Sequence, residues 1–432
     1  MEKWIAIVAD DLTGANDSGV QLTEKGVPTS VLFDLPDHSQ TLDQGIVIDT
    51  NGRALLREEA YKKTKEAAQF IKEAGYRTIY KKMDSTLRGH IGTELKAMKD
   101  VFQPEFVFIS PAFPALHRTT KDGIHYIKDQ RVSDTEISRD PKHPVKESSI
   151  PTLIENEIGE KVGLLRKSAL INRETFEQIV RSFQSQGICY LVCDAETEED
   201  LKLFSKWMLQ LSSKVIWAGS AGLAEVLPDV LQLHSIPAER TITPCEQVVI
   251  VCGSLSLTTQ KQVRTAAAKD DVIGVEVDTL KIFSPLWVEA KQVYLNLCKS
   301  AIEEGKHVAI YVPSNVEIRE KVKQAGESLG FSSYQIGEEI STALAEIVRT
   351  LASTYHHLNS FVLTGGDTAK ETAKQLGGNG IRLIKQLEPG IPVGQLIGAS
   401  RPLTVVTKAG AFGDDDSIYR AACELKGDIV YE

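Results

Sequence analysis

Short uninterrupted apolar runs alternate along this chain with longer stretches whose hydrophobic residues recur at helical spacing. In the first half, Ser30 to Phe33, Gly45 to Ile48, Thr78 to Tyr80, Phe106 to Ile109, Gly187 to Cys193 and Val215 to Ala218 read as buried strands. Arg57 to Ala74, Glu174 to Gln186 and Glu198 to Leu211 read as amphipathic helices between them. In the second half, the expected strands are Gln247 to Cys252, Val308 to Val312, Ser360 to Leu363 and Thr404 to Thr407. Thr258 to Lys269, Pro285 to Glu303, Ile340 to Ser353 and Lys370 to Leu376 are the expected helices. Such alternation predicts βα units and mostly parallel sheets.

Two places break the pattern. The stretch 128–147 is polar and aperiodic, and reads as a long excursion or lid loop. The segment 233–246 carries two prolines and no hydrophobic period, which suits a connection between domains. With 432 residues the chain exceeds what one core usually serves. The expectation is therefore two α/β domains, 1–235 and 245–432, with the active-site cleft between them.

The net charge of -10 argues against a general nucleic-acid or anionic-membrane binder. No apolar run approaches the length of a spanning helix, and the N-terminal run is broken by Asp10 before it could act as a secretory signal, so the expected location is the cytoplasm. The six cysteines are scattered without a CxxC pair and read as buried free thiols, and the nine histidines lack ligand spacing. A homodimer is the base-rate expectation.

Candidate chemistry gathers where strands end. The run Trp4 to Ala9 leads into Asp10-Asp11-Leu12-Thr13-Gly14-Ala15, and ligands in open α/β sheets bind beyond the carboxyl ends of strands. Either acid could instead simply cap the next helix. Lys81-Lys82-Met83-Asp84-Ser85-Thr86-Leu87-Arg88 sets cations, an acid and hydroxyls after another strand, a mixture suited to a carboxylate and a polyol. Arg53 follows a third strand, and Ser110 to Pro114, running on to Arg118 and Gly123, follows a fourth. Together they look like a pocket for a small polar anion.

In the second half, Phe361 to Leu363 opens onto Thr364-Gly365-Gly366-Asp367-Thr368-Ala369 and a helix, a turn that exposes amides to a phosphate. The turns at Gly253-Ser254 and at Lys408-Ala409-Gly410 repeat the arrangement, and three such turns favour a mononucleotide site. Asp414 to Asp416 could order a divalent cation or form a solvated acidic helix start.

ADDLTGA at 9–15, KMDSTLRG at 82–89, SPAFP at 110–114, GSAGLA at 219–224, TGGDTA at 364–369 and KAGAFG at 408–413 occur in that order. As an ordered set they resemble the four-carbon acid sugar kinase family over nearly the whole chain; the 128–147 stretch has no counterpart among them. The resemblance implies ATP-dependent phosphorylation of threonate, erythronate or 3-oxo-tetronate at the terminal hydroxyl, with an N-terminal sugar-acid domain and a C-terminal nucleotide domain. It implies that Asp11, Arg53 and Lys82, Met83, Asp84 and Ser85 hold the acid, and that Ser254, Gly365, Gly366, Asp367, Thr368 and Gly410 hold ATP. Arg53 or Lys82 would then meet the substrate carboxylate, Asp11 or Asp84 would act on the hydroxyl, and Mg²⁺ would accompany ATP. An aldolase or epimerase on the same acids, or a non-enzymatic sensor, are the rival readings.

Overall fold

Continuous Val/Ile runs become strands here because both of their faces are shielded from water. The structure, a computed structural model, describes residues 2–36, 42–140, 143–233 and 241–428, and divides into a first unit, Met1–Ala238, and a second, Glu239–Glu432. Half of the connection expected over 233–246, residues 234–240, lies outside the described residues, as do residues 141 and 142 of the polar stretch.

The first unit contains β1 (Ile5–Ala9), β2 (Thr29–Leu32), β3 (Gly45–Asp49), β4 (Thr78–Lys82), β5 (Phe106–Ser110), β6 (Arg118–Lys121), β7 (Ile124–Ile127), β8 (Gln130–Arg131), β9 (Val162–Leu165), β10 (Tyr190–Cys193) and β11 (Val215–Gly219). Its main sheet runs β2-β3-β1-β4-β11-β5-β10-β9, and these pairings are parallel throughout. The wholly buried β1 lies between β3 and β4, with Ala9 opposite both Asp49 and Lys82. The residues that follow these three strands therefore emerge side by side at the carboxyl edge of the sheet, where ligands bind in this architecture.

Helix α1 (Leu12–Glu24) starts at once after β1, with the Asp11 carboxylate accepting from the Gly14 amide at 2.8 Å. Helix α2 (Arg57–Ala74) has the expected bounds and stops at Gly75, whose φ of 78° closes the last turn. Helix α3 (Ile91–Phe102) is not among the expected helices.

The polar stretch is not a structureless lid. It continues an antiparallel sheet, β6-β7-β8, and then makes 3-10 turns at Val132–Asp134 and Glu136–Arg139. Polar groups anchor this small sheet, so its strands carry little hydrophobic alternation: Thr120 and His125 are buried and bonded to each other. Bridges from Thr120 to Ala195 and from Ile124 to Ser149 attach it to the unit.

The second unit contains β12 (Val249–Cys252), β13 (Val272–Glu276), β14 (His307–Tyr311), β15 (Ser360–Thr364), β16 (Gly380–Glu388), β17 (Ile391–Ile397) and β18 (Thr404–Lys408). They run β13-β14-β12-β15-β18-β17-β16, parallel as far as β18 and antiparallel beyond it. The β16–β17 hairpin goes unread in the hydrophobic pattern because β16 is only half-buried over its second part, yet its Pro389-Gly390 turn is a legible signal. The helix expected from Ile340 begins earlier, at Ser333, because Ser332 and Gln335 form a capping box. Val248, Ile250, Val263, Val406 and Leu425 are among the residues packed into this unit's core. No described helix is long and apolar enough to cross a membrane.

Candidate active site

In the first unit, the ends of β1 and β3 are joined by charge. Arg53 donates from Nε to Asp10 Oδ2 at 2.9 Å and from NH1 to Asp11 Oδ2 at 2.8 Å. The end of β4 supplies two lysines of different character. Lys81 is buried and paired with Glu94 of α3 at 3.1 Å, and it also donates to the Lys82 carbonyl at 2.7 Å. Lys82 donates to the Met83 carbonyl at 3.0 Å and forms no ion pair with a carboxylate among the described residues. Its ammonium lies over the start of α1, where a Cβ on Gly14 would stand 2.7 Å from Lys82 Nζ and 2.8 Å from Asp11 Oδ1. The Met83 amide is tied to Gly219 at the end of β11.

Beyond Met83 the loop is cross-linked. Asp84 accepts from Arg88 at 2.6 Å and from the Thr86 hydroxyl, and Arg88 reaches Asp140 at 3.1 Å. Arg118, the first residue of β6, donates from NH1 to the Ser85 hydroxyl. His125 Nε2 bonds the Ser85 carbonyl at 2.8 Å, so the small antiparallel sheet forms a wall beside the loop.

These pairings separate the carboxylates. Burial alone would raise Asp10, but Arg53, Lys81 and Lys82 outweigh it and hold the group below the usual range. Asp11 goes the other way: burial and the Asp10 charge push it up against the pull of Arg53 and Lys82. In Asp84 burial is overwhelmed by Arg53, Arg88 and the Thr86 bond, and the carboxyl sits far below the carboxylate range. Asp17, on α1 and unremarked in the sequence, is pushed up to about 6, chiefly by burial, within the fields of Lys82, Asp11 and Arg118. A proton acceptor works best with a pKa near the working pH, which favours Asp11 and Asp17 over Asp84.

In the second unit, the three glycine turns meet. Gly253 has no room for a side chain, because a Cβ would run into Thr368 Oγ1. Gly365 adopts φ 88° and a Cβ there would lie 3.3 Å from the Ser254 amide; one on Gly410 would lie 2.6 Å from Ser254 Oγ. Gly366 opens the helix Gly366–Gln375, and Asp367 is exposed in its first turn. That helix therefore starts earlier than the expected Lys370. Ser256 and Thr259 hydroxyls both donate to the Gly410 carbonyl, and the buried Lys408 donates to the Ala409 carbonyl at 2.8 Å. Burial pushes the Lys408 ammonium down to about 8. Leu257, Val316, Arg264 and Arg319 help to line an open groove of about 880 Å³ beside this cluster.

All of the sequence-predicted acid-site residues thus lie at one sheet edge, and all of the nucleotide-site residues at another. Arg53, expected to hold the acid, is bonded to the carboxylates of Asp10 and Asp11. Asp414, Asp415 and Asp416 are also committed, to Arg420 and Lys261, and do not fit a cation site. Missed were Asp17 and Glu94, and for Asp17 the signal was its i+4 spacing from Thr13 on the face that opens α1.

The profile of a sugar-binding N-terminal domain matches residues 5–227, and that of a nucleotide-binding C-terminal domain matches residues 249–418. The chain is 29% identical to a D-threonate kinase of Salmonella typhimurium, covering 95% of this chain and 96% of the relative. It is 28% identical to a D-erythronate kinase of Heliobacterium modesticaldum, over 97% and 95% respectively. It is also 27% identical to a 3-oxo-tetronate kinase of Pseudomonas savastanoi, over 98% and 97%. A crystal structure from Salmonella typhimurium LT2 has the same fold, with a TM-score of 0.81 at 24% identity over 97% of this chain and 99% of that one. A Haemophilus influenzae structure gives 0.75 at 24%, over 98% and 100%. The chain belongs to the family that joins a sugar-binding N-terminal domain to a nucleotide-binding C-terminal domain, the family of the four-carbon acid sugar kinases.

Proposed function

We propose that this protein transfers the γ-phosphoryl group of ATP to the terminal C4 hydroxyl of a four-carbon sugar acid, threonate, erythronate or 3-oxo-tetronate, in the cytoplasm where ATP is abundant. The observation that carries this reading is the make-up of the strand ends. One unit gathers lysine, arginine and carboxylates around Asp11 and Lys82, and the other brings three glycine turns onto Ser254. The relatives named as kinases of such acids, similar over nearly their whole length, support it.

Phosphoryl transfer calls mainly for positioning and for neutralising charge, so the chain's contribution is to hold both reactants and to take one proton. The oxygen of the C4 hydroxyl bonds to the γ-phosphorus, the bond to the ADP oxygen breaks, and the hydroxyl proton passes to a carboxylate. Asp11 and Asp17 are the carboxylates able to accept it; Asp84 is too acidic and too fully bonded, and serves to fix the loop. The amides and hydroxyls at Ser254, Gly365 to Thr368 and Gly410 would hold the polyphosphate. Mg²⁺ would bring charge neutralisation with ATP, held largely by the phosphates, with Asp367 the exposed acid at the turn.

The test is ADP release from ATP and Mg²⁺ against D-threonate, D-erythronate, L-threonate and the 3-oxo acids, for the wild type and for Asp11→Asn and Asp17→Asn. Release dependent on one acid establishes the kinase and names its substrate. The variant that loses about 100-fold or more in kcat while keeping its KM for ATP identifies the proton acceptor. Product formed from these acids without nucleotide would replace the kinase with an aldolase or epimerase. Tight binding of both ligands without turnover would replace it with a sensor.

A further inference from the structure

The cations around the acid pocket can be matched to their counter-charges one by one. Arg53 lies between Asp10 and Asp11, Arg88 between Asp84 and Asp140, and Lys81 against Glu94. Two are left over among the described residues, Lys82 and Arg118. Lys82 at least has the Met83 carbonyl. Among the described residues the Arg118 guanidinium donates only to the neutral hydroxyl of Ser85, and its Nε is buried without a partner. A guanidinium carries five donors in a rigid fork, and leaving one of them dry costs more than a hydrogen bond returns. Burial lowers its pKa, and the neighbouring Arg88 adds to this, so that the opposing fields of Asp84 and Asp17 are outweighed.

The placement of this side chain is fixed from both ends. The Arg118 backbone exchanges hydrogen bonds with Phe113, at 2.8 and 3.1 Å, which pins it to the rigid Ser110 to Pro114 loop. His125, across the hairpin, holds the Ser85 carbonyl. The guanidinium is thereby aimed at the very loop, Lys82 to Ser85, that the acid is expected to occupy, and Asp17 lies in the fields of both Lys82 and Arg118. Arg53 is badly suited to the same duty, because turning it toward a ligand would strip Asp10 and Asp11 of their shared counter-ion.

We propose that Arg118 receives the substrate carboxylate through its planar fork, with Lys82 as the second cation, and that the hairpin carrying it makes this pocket select acids over uncharged polyols. The assignment rests on the reading of the substrate as a four-carbon acid. It gives the β6–β7 hairpin a purpose, as the wall that supplies the anion receptor.

The experiment compares wild type, Arg118→Gln and Arg118→Lys in the full chain. Calorimetry without nucleotide measures binding of the four-carbon acids and of their carboxamides, and ADP release gives KM and kcat. In Arg118→Gln the Kd and KM for the acid rise about 100-fold, while the KM for ATP and the Kd for the carboxamide change less than about two-fold. Arg118→Lys retains the charge without the fork, loses about ten-fold, and serves as the folding control. An unchanged acid Kd in Arg118→Gln, or an equal loss for acid and carboxamide, overturns the assignment. Acid binding by the wild type without ADP release overturns only the kinase reading, and the calorimetric comparison still decides for Arg118. Wild type that binds none of the acids overturns the substrate class and the receptor together.

Discussion

At the level of single residues, a buried charge is defined by what faces it. Lys408 stands in the second unit with its ammonium tied to the Ala409 carbonyl at 2.8 Å, and burial holds it down to about 8. In an unfolded chain the same lysine titrates near ~10.4, so from about pH 8 to about 10.4 the unfolded state binds more protons and this group's contribution to stability rises with pH. The charge is therefore a cost to the fold, kept where it orients the Gly410 turn. Lys408→Met should leave the melting temperature equal or higher and raise the KM for ATP about ten-fold, through loss of a charge-assisted bond. An ATP KM at the wild-type value would remove Lys408 from nucleotide binding. In the first unit the same logic separates Asp84 from Asp17: both are acids in one pocket, but Asp84 is surrounded by donors and Asp17 is not. A sequence shows that two aspartates are present; their proton affinities belong to their neighbours.

Among elements, the hairpin β6-β7 carries the most structure that the hydrophobic pattern does not announce. His125 is fully buried between Thr120 Oγ1 and the Ser85 carbonyl, and burial pushes its imidazole down to about 4. Its unfolded value is about 6.5, so the unfolded chain takes up the proton first as pH falls. The penalty for charging this buried imidazole is absent above about pH 6.5 and builds progressively down to about pH 4, to about 3 kcal/mol in all. Urea midpoints for the first unit at pH 7 and pH 5 should differ by more in wild type than in His125→Gln. Equal differences would show that His125 does not couple the hairpin to proton uptake. The β16–β17 hairpin goes unread for a related reason: β16 mixes Arg382, Lys385 and Gln386 with its apolar residues and is only half-buried over its second part, and Pro392 and Gly394 interrupt the apolar run of β17. Helices α2 and Glu198–Leu211 fall where the sequence puts them, because their amphipathic faces and capping signals agree.

For the whole molecule, two compact units, one matching a sugar-binding domain and the other a nucleotide-binding domain, make a thermodynamic prediction. A ligand that binds only the folded form stabilises it by RT ln(1 + [L]/Kd), about 2.7 kcal/mol at a hundred-fold excess over Kd. ATP should raise the melting transition of the nucleotide-binding unit, and the four-carbon acid that of the sugar-binding unit, each by roughly 5–10 °C. Scanning calorimetry with each ligand alone checks this, and an acid that shifts no transition would contradict the placement of its pocket at the ends of β1, β3 and β4.

Order along the chain decided the α/β class, most of the buried strands, and the fact that acids, cations and glycines fall just past strand ends. These are local properties: a run of Val and Ile excludes water wherever it lies, and a glycine permits its turn with no help from afar. Which cation is spent and which is free was settled only by the tertiary structure. Arg53 reads in sequence as an available anion receptor, yet Asp10 and Asp11, more than forty positions earlier, already occupy it, and Arg118 reads as one residue in a loop, yet it ends beside Ser85 with a buried donor unpaired. Coulomb attraction and desolvation act through distance in space, and distance in space between residues so far apart in sequence exists only once the sheet has brought its strand ends together.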